Sequence, residues 1–393
     1  MNNDAIDFFL TEEHKMFRET VRDFAKQYIE PNFDKWEKEG KVDREFFKKA
    51  GEFGLLGLAV EPEYAGMGLN HMYSLVMVEE LGKHNFSGAT LSLVAHSYLG
   101  MNYLQHAGTD YIKKTYLEPS VTGEKVSCLG MTEPGAGSDL AALSTTAVRE
   151  GDYYIVNGSK TFITNGVYAD FMVTAVKTDP SKGPAGVSLL VIDCNSEGFT
   201  RSKLHKLGMH SSDTAEIGMT NVKVPVANLL GQEGMGFKYM MESLQTERLG
   251  VAWACMGEMI GVFNKTIDYM NTRVAFGKPI TKFQALRHKL AEMAIEIEAT
   301  RAFLYLTNQR FCNGDIVVTE CSMLKAKTSD LLNEVSDKCL QMFGGYGFIE
   351  EYPVARIYRD QRVNPIYAGT NEIMKEIICK TVVDGVTYKK VYN

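Results

Sequence analysis

The sequence predicts an α+β protein built from three consecutive parts: helical over residues 1–124, β over 125–231, and a helical bundle over 232–393. Three observations carry this. Apolar residues recur at three-to-four spacing before about residue 120 and after about residue 232. Between those stretches, short runs rich in Val, Ile, Thr and aromatics alternate with turn signals every ten to fifteen residues. The length, 393 residues, calls for two or three domains at roughly 150 residues each.

In the first part, Thr11 is placed to cap a helix carrying Met16, Phe17, Val21, Phe24 and Ala25. Phe46, Phe47, Ala50 and Phe53 repeat the pattern before Gly54. The segment Glu61-Pro62-Glu63-Tyr64-Ala65-Gly66-Met67-Gly68 reads as a loop, and helical patterns resume over 73–81 and 89–106. In the second part, Asp152 to Gly158 reads as a strand ending in an Asn-Gly hairpin turn. Thr161 to Thr164 continues it, and Asn165-Gly166 turns again. Further strands are expected over Phe171–Val176, Val187–Ile192 and Glu216–Val224, making a small barrel or sandwich rather than βαβ repeats. In the third part, one stripe holds Phe237, Met240, Met241, Leu244, Val251 and Cys255, and another Phe283, Leu286, Leu290, Met293 and Ile297. Long helices with short connections read as a bundle.

Composition narrows the function. Hydrophobic residues at 45% and charged residues at 23% are ordinary for a globular protein. The net charge of −7 argues against a nucleic-acid partner. No apolar run approaches the ~18 residues that span a bilayer. The start, Met1-Asn2-Asn3-Asp4, has neither the basic region of a signal peptide nor the Arg-rich character of a transit peptide. That favours a cytoplasmic protein, although a mitochondrial-matrix form after leader removal would look the same. Seven scattered cysteines form no CxxC pair, and the histidines show no HExxH, so no metal site is expected. GxGxxG and GxxxxGK[ST] are both absent.

Two glycine-rich strings carry more information. Gly130-Met131-Thr132-Glu133-Pro134-Gly135-Ala136-Gly137-Ser138-Asp139 is a constrained turn with exposed N–H groups and hydroxyls, able to approach a flat polar ligand edge. On composition alone it is also an ordinary surface loop. Gln341-Met342-Phe343-Gly344-Gly345-Tyr346-Gly347-Phe348 lets the backbone approach a ligand or another chain, or simply ends a helix. It is followed by Glu351, Arg356 and Asp360. Over 200 residues apart, these strings fit the two signatures of one family. The sequence resembles the acyl-CoA dehydrogenases from Phe9 to about Asp384.

The resemblance implies that family's three-domain fold and a flavoenzyme using FAD. Leu129, Met131, Thr132, Gly137 and Ser138 would line the flavin, with Thr132 near the isoalloxazine and Ser138 also near substrate. Phe162, Ile163 and Thr164 would pack on the flavin face; many relatives have Trp where this chain has Phe162. Arg273, Phe276 and Gln284 resemble the pyrophosphate and ribityl contacts. Gln341, Met342, Phe343, Gly344 and Gly345 would meet the adenosine part from a neighbouring subunit, and Thr370, Asn371 and Glu372 would reach the flavin from the C-terminal end. Around the substrate, the resemblance points to Pro184, Ala185, Lys238, Gln245, Arg248, Ala368 and Gly369. Relatives carry Tyr where this chain has Lys238.

The base is the informative departure. Taking a proton from the carbon beside a thioester carbonyl needs a carboxylate in a dry site. Many relatives hold it in a Tyr-Glu-Gly-Thr string, which here reads Tyr367-Ala368-Gly369-Thr370. The long-chain and isovaleryl subset puts the base on a C-terminal-domain helix, and the matching residue is Glu247. Met240, Leu244, Glu247 and Val251 are spaced four, three and four apart, so Glu247 lies on the apolar stripe of its helix. Burial there raises a carboxyl pKa and suits a base near neutral pH, although a buried ion pair with Arg248 is the competing reading. Glu242 falls on another face and is expected in solvent.

The Ala368 N–H and a flavin ribityl hydroxyl would, by resemblance, share the thioester oxygen. His205 to Met209, with Lys203, Lys206 and Asp213, offers charge for CoA or flavin, or a plain charged loop. The helix from Ala89 to Gln105 is the expected acyl pocket, with Ala95 and Gly100 able to admit a long tail and Tyr98 and Met101 able to block it. The implied activity is oxidation of a fatty acyl-CoA, long-chain favoured, to a trans-2-enoyl-CoA. Electrons would pass to an electron-transfer flavoprotein, and the assembly would be a homotetramer, a dimer of dimers. An oxygen-using acyl-CoA oxidase and a silent flavin- or CoA-binding protein are the alternatives.

Overall fold

The computed structural model describes residues 4–388, so Met1-Asn2-Asn3 of the start lies outside the described residues. The N-terminal helices are α1 (Glu12–Phe24), α2 (Phe33–Glu39), α3 (Arg44–Glu52), α4 (His71–Lys83), α5 (Ser87–Val94) and α6 (Met101–Ala107). Thr11 caps α1 by accepting from the His14 N–H. Val21, Phe24 and Ala25 are buried as the spacing required, but Met16 is exposed. One π-helical stretch, Ala95–Gly100, joins α5 to α6 in a continuous rod.

The middle of the chain forms β1 (Ser127–Gly130), β2 (Thr146–Glu150), β3 (Tyr153–Thr164), β4 (Phe171–Lys177), β5 (Val187–Asp193), β6 (Phe199–Lys203), β7 (Thr214–Pro225) and β8 (Leu229–Leu230). They make one sheet in the order β6-β7-β3-β2-β4-β5-β8, with β1 parallel to β4. The expected hairpin at Asn157-Gly158 does not exist: β3 runs through it, and the register against β7 shifts between Val156 and Gly158. The glycine marks a bulge. A Cβ there would lie 2.5 Å from Thr145 Oγ1, while Asn157 accepts from the Asn221 N–H at 2.8 Å. Asn165 does turn, at φ 63°.

The long C-terminal helices are α7 (Gly236–Thr272), α8 (Gln284–Cys312), α9 (Val318–Phe343), α10 (Pro353–Asp360) and α11 (Asn371–Val382). α7 packs on α9 and, across the chain, on α4. The α4 contact is backbone to backbone. A Cβ on Gly257 would lie 2.1 Å from the Glu79 oxygen, one on Gly261 2.3 Å from the Lys83 oxygen, and one on Gly82 2.9 Å from the Ala254 oxygen. No described helix is long and apolar enough to cross a membrane.

Candidate active site

A cavity of about 920 Å³ opens between α5, α7, the strand loops and the turn before α11. It brings together Leu129, Met131, Thr132, Gly137, Ser138, Phe162, Ile163, Thr164, Glu247, Arg248, Ala368, Gly369 and Thr370. Residues over 200 positions apart thus share one wall system.

The Gly130–Asp139 loop is fixed from behind. Glu133 accepts from Lys160 Nζ at 2.7 Å, the Ser144 N–H at 2.6 Å and the Thr145 N–H at 3.0 Å. Burial opposes ionisation of Glu133, but the Lys160 ammonium holds it at about 2. The Thr161 N–H donates to the Thr132 oxygen at 2.9 Å, tying the loop to β3. Nothing would meet a Cβ at Gly135 or Gly137, so that side of the loop is open.

Glu247 is 5% exposed and accepts from the Tyr103 hydroxyl at 2.8 Å. Burial pushes its carboxyl up to about 7, against the lowering effects of the Tyr103 hydrogen bond and the nearby Arg248 charge. Among the described residues no ion pair joins Glu247 to Arg248, which argues against the structural-pair reading. Arg248 is itself buried, and among the described residues its Nε has no partner. The helical stripe behaves as expected: Met240, Leu244 and Val251 are all buried. Glu242 corrects the expectation of solvation. Among the described residues both its carboxylate oxygens are buried without a partner, and burial pushes it up to about 7. It does not line the cavity.

Across from Glu247, Ala368 sits at φ 53°, a left-handed conformation that L residues rarely adopt. Among the described residues no acceptor takes its N–H. Lys325, buried in α9, donates to the Gly369 oxygen at 2.7 Å and to Asn371 Oδ1 at 2.9 Å, which holds this turn. Phe162, with φ 61° and 68% exposed, and Met209, with φ 51°, also line the cavity. Strained backbone gathered around one space points to a function that needs it.

Other expected residues fall elsewhere. Asn371 is buried, bonded to Lys325, Ser329 and Asp330. Glu372 is exposed at the start of α11. Gln245 accepts from the Val317 N–H, and neither it nor Lys238 lines the cavity. Pro184 and Ala185 stand exposed on a turn that packs against residues 140–142 of the rim. Lys203 and Lys206 donate to backbone carbonyls; Lys203 lies off the cavity, whereas His205 and Lys206 line it. On the expected acyl helix only Ala95 of the four named residues lines the wall. Gly100 packs on Ser127, Tyr98 on Trp253, and Met101 in the apolar cluster under the sheet.

A second hollow, about 540 Å³, holds Arg273, Gln341, Met342, Phe343, Gly344 and Gly345. Tyr269 stacks on Phe343 with ring centres 4.1 Å apart, and the Arg273 guanidinium lies over Tyr346. Phe276 is 94% exposed beside it, and Gln284 is exposed at the start of α8. Neither lines the hollow.

Sequence reasoning missed Tyr103, Lys325 and the Glu133–Lys160 pair. Lys325 was within reach, since it lies four residues after Cys321 and seven before Leu332 on the buried face of α9. Tyr103 pairs with a residue 144 positions away, and no local pattern announces that.

The chain matches three family models along its length: acyl-CoA dehydrogenase N-terminal domain over residues 11–124, middle domain over 128–222, and C-terminal domain over 234–383. It is 41% identical to the mitochondrial long-chain specific acyl-CoA dehydrogenase of Rattus norvegicus, covering 94% of this chain and 86% of the relative. It is 37% identical to a short-chain specific acyl-CoA dehydrogenase of Clostridium acetobutylicum, covering 95% and 98%. The crystal structure of an acyl-CoA dehydrogenase from Geobacillus kaustophilus superposes with a TM-score of 0.93 at 46% identity, covering 95% and 99%.

Proposed function

The chain belongs to the acyl-CoA dehydrogenase family of oxidoreductases, and from that premise we propose that it oxidises a fatty acyl-CoA, long-chain favoured, to the trans-2-enoyl-CoA with Glu247 as base. The single observation behind this is the placement of Glu247: a buried carboxyl in the wall of the large cavity, with a neutral-range pKa and, among the described residues, no ion pair. Such a group takes a proton at physiological pH and holds it away from water. The Ala368 N–H, which no acceptor takes among the described residues, is available to the thioester oxygen, where negative charge grows as the proton leaves. The missing carboxyl at Ala368 leaves room for this and puts the base on α7 alone.

The residues present suit FAD. A loop open at Gly135 and Gly137, the hydroxyls of Thr132 and Thr164, and the exposed Phe162 ring form a slot for a flat polar ring. When bound, the flavin supplies the acceptor for the hydride from the β-carbon. The chain's own share is to orient the thioester, exclude water and hold the proton at Glu247.

Arg273 lies 26 residues beyond Glu247, and the helix carrying Glu247 runs unbroken to Thr272, so about 39 Å of axial rise separates the two. One dinucleotide does not bridge that span. The hollow around Arg273 and Gln341–Gly345 is therefore read as the adenosine half-site offered to a neighbouring copy, in keeping with a homotetramer. An electron-transfer flavoprotein as acceptor rests on the family alone.

The test is anaerobic addition of short, branched and long acyl-CoAs to the flavin-loaded protein, with wild type and Glu247→Gln side by side. Bleaching by one class, lost in the variant, supports the reading. Bleaching that survives the substitution moves the base elsewhere, and a flavin that no acyl-CoA bleaches favours a silent binding protein. Faster reoxidation by oxygen than by an electron-transfer flavoprotein would make it an oxidase.

A further inference from the structure

The cavity continues past Glu247. Val251, Ala254 and Glu258 follow it on α7 at spacings of four, three and four, and all three line the same wall. The facing wall is α5, which runs the opposite way. A Cβ on Gly250 would lie 3.5 Å from Val94 Cγ1, while the Ser87 hydroxyl faces the Glu258 carboxyl. Between these levels the walls are apolar at Val94, Leu91, Val251 and Ala254, with the Thr90 hydroxyl interrupting them one turn from Ser87.

Its far end is not apolar. Glu258 is 2% exposed, with Ser87 and Gln361 around its carboxyl. Burial pushes that carboxyl up to about 8, so near neutral pH it is an uncharged acid that can both donate and accept. Thr90, 1% exposed, lines the wall one turn along α5 from Ser87, and among the described residues its hydroxyl has no partner. A hydrocarbon tail ending here would leave the buried Thr90 hydroxyl unsatisfied and would offer nothing to the Glu258 carboxyl, which costs affinity.

We propose that this end of the corridor is a subsite for a hydroxyl carried at the tail of the acyl chain, received by Glu258 and Thr90. It rests on the reading of the cavity as an acyl-CoA site. The rise from Glu247 to Glu258 is about 16 Å. An extended chain advances ~1.2 Å per bond, so the tail that reaches is roughly a dozen bonds long.

The test uses the flavin-loaded enzyme and acyl-CoAs of about ten, twelve and fourteen carbons, each ending in a methyl, a hydroxyl or a carboxylate. The readout is kcat/KM for anaerobic flavin reduction. Wild type is expected to prefer the hydroxyl-ended chain over its methyl-ended counterpart by about tenfold at the matching length. Glu258→Leu and, separately, Thr90→Val are expected to reduce that preference, the first by favouring the methyl-ended chain. Thr90→Val serves where Glu258→Leu does not fold. Equal or better use of methyl-ended chains at every length by wild type overturns the subsite while leaving the acyl-CoA reading intact. So does first preference for the carboxylate end, or a hydroxyl preference that survives both substitutions. A flavin that none of these compounds bleaches overturns both readings together.

Discussion

The two ends of α7 are built for different surroundings. Near its start, Glu247 is 5% exposed, held by a tyrosine from α6 and enclosed on all sides by its own chain. Just past its end, Arg273 stands in solvent beside a glycine turn, and Phe276 is 94% exposed. An enclosed wall declares its chemistry through desolvation: the pKa of Glu247 moves because water has been removed from it. An open hollow of glycines, one guanidinium and bare aromatic rings has no such signature until another surface covers it. The first end reads as a reaction centre within one chain, and the second as half of a binding site.

Substitutions at either end sharpen or break that contrast. The largest effect is expected for Glu247→Gln, which removes the base without changing its size. Flavin reduction in stopped flow should fall by roughly 10²–10⁴-fold while flavin content stays at the wild-type level. A fall of less than tenfold would mean the enclosed end is not the reaction centre. Next comes Arg273→Ala, expected to weaken flavin retention by about 10–100-fold through loss of a charged contact, measured by flavin titration of the apoprotein. Co-assembling Glu247→Gln chains with Arg273→Ala chains should recover part of the activity, because some sites then draw both intact halves from different copies. Failure to recover any would place the two halves in one chain.

A smaller and more diagnostic effect concerns pH. Only the deprotonated Glu247 accepts a proton, so flavin reduction should rise with pH through about 7. The Tyr103 hydroxyl lowers that pKa by donating to the carboxylate. Tyr103→Phe should therefore move the midpoint upward, by about one pH unit, and an unmoved midpoint would assign Tyr103 to packing alone. The smallest effect is Ala368→Gly. Relief of the left-handed strain, ~1–2 kcal/mol, is partly offset by the ~0.5–1 kcal/mol of extra chain entropy that glycine loses on folding. A net gain below ~1 kcal/mol is expected in denaturant unfolding.

The same contrast explains how much was legible beforehand. Periodicity found α7 and put Glu247 on its buried face, because a helix repeats its own geometry. It misplaced Glu242 and Met16, since a face that is polar in pattern becomes buried only when a distant element covers it, and the reverse holds for a lone apolar side chain. The Asn157-Gly158 pair carries the chemistry of a turn, yet the chain runs straight on. Thr145, just before the adjoining strand β2, presses on Gly158, and no reading of β3 alone contains that neighbour. The loop at Gly130–Asp139 was visible as a string, but the buried Lys160 that fixes it lies 27 residues away from Glu133.

The seam where α7 meets α4 has a consequence for selectivity. At Gly82, Gly257 and Gly261 the two rods touch main chain to main chain, which leaves α7 no freedom to slide along its axis. The spacing between Glu247 and Glu258 is thereby anchored to the body of the protein from the side that no ligand touches. On the proposed reading the corridor is a gauge of set depth, and its zero mark is kept by absent side chains at the seam, two on α7 and one on α4. A methyl group added at Gly257 would shift that mark without altering a single residue of the lining.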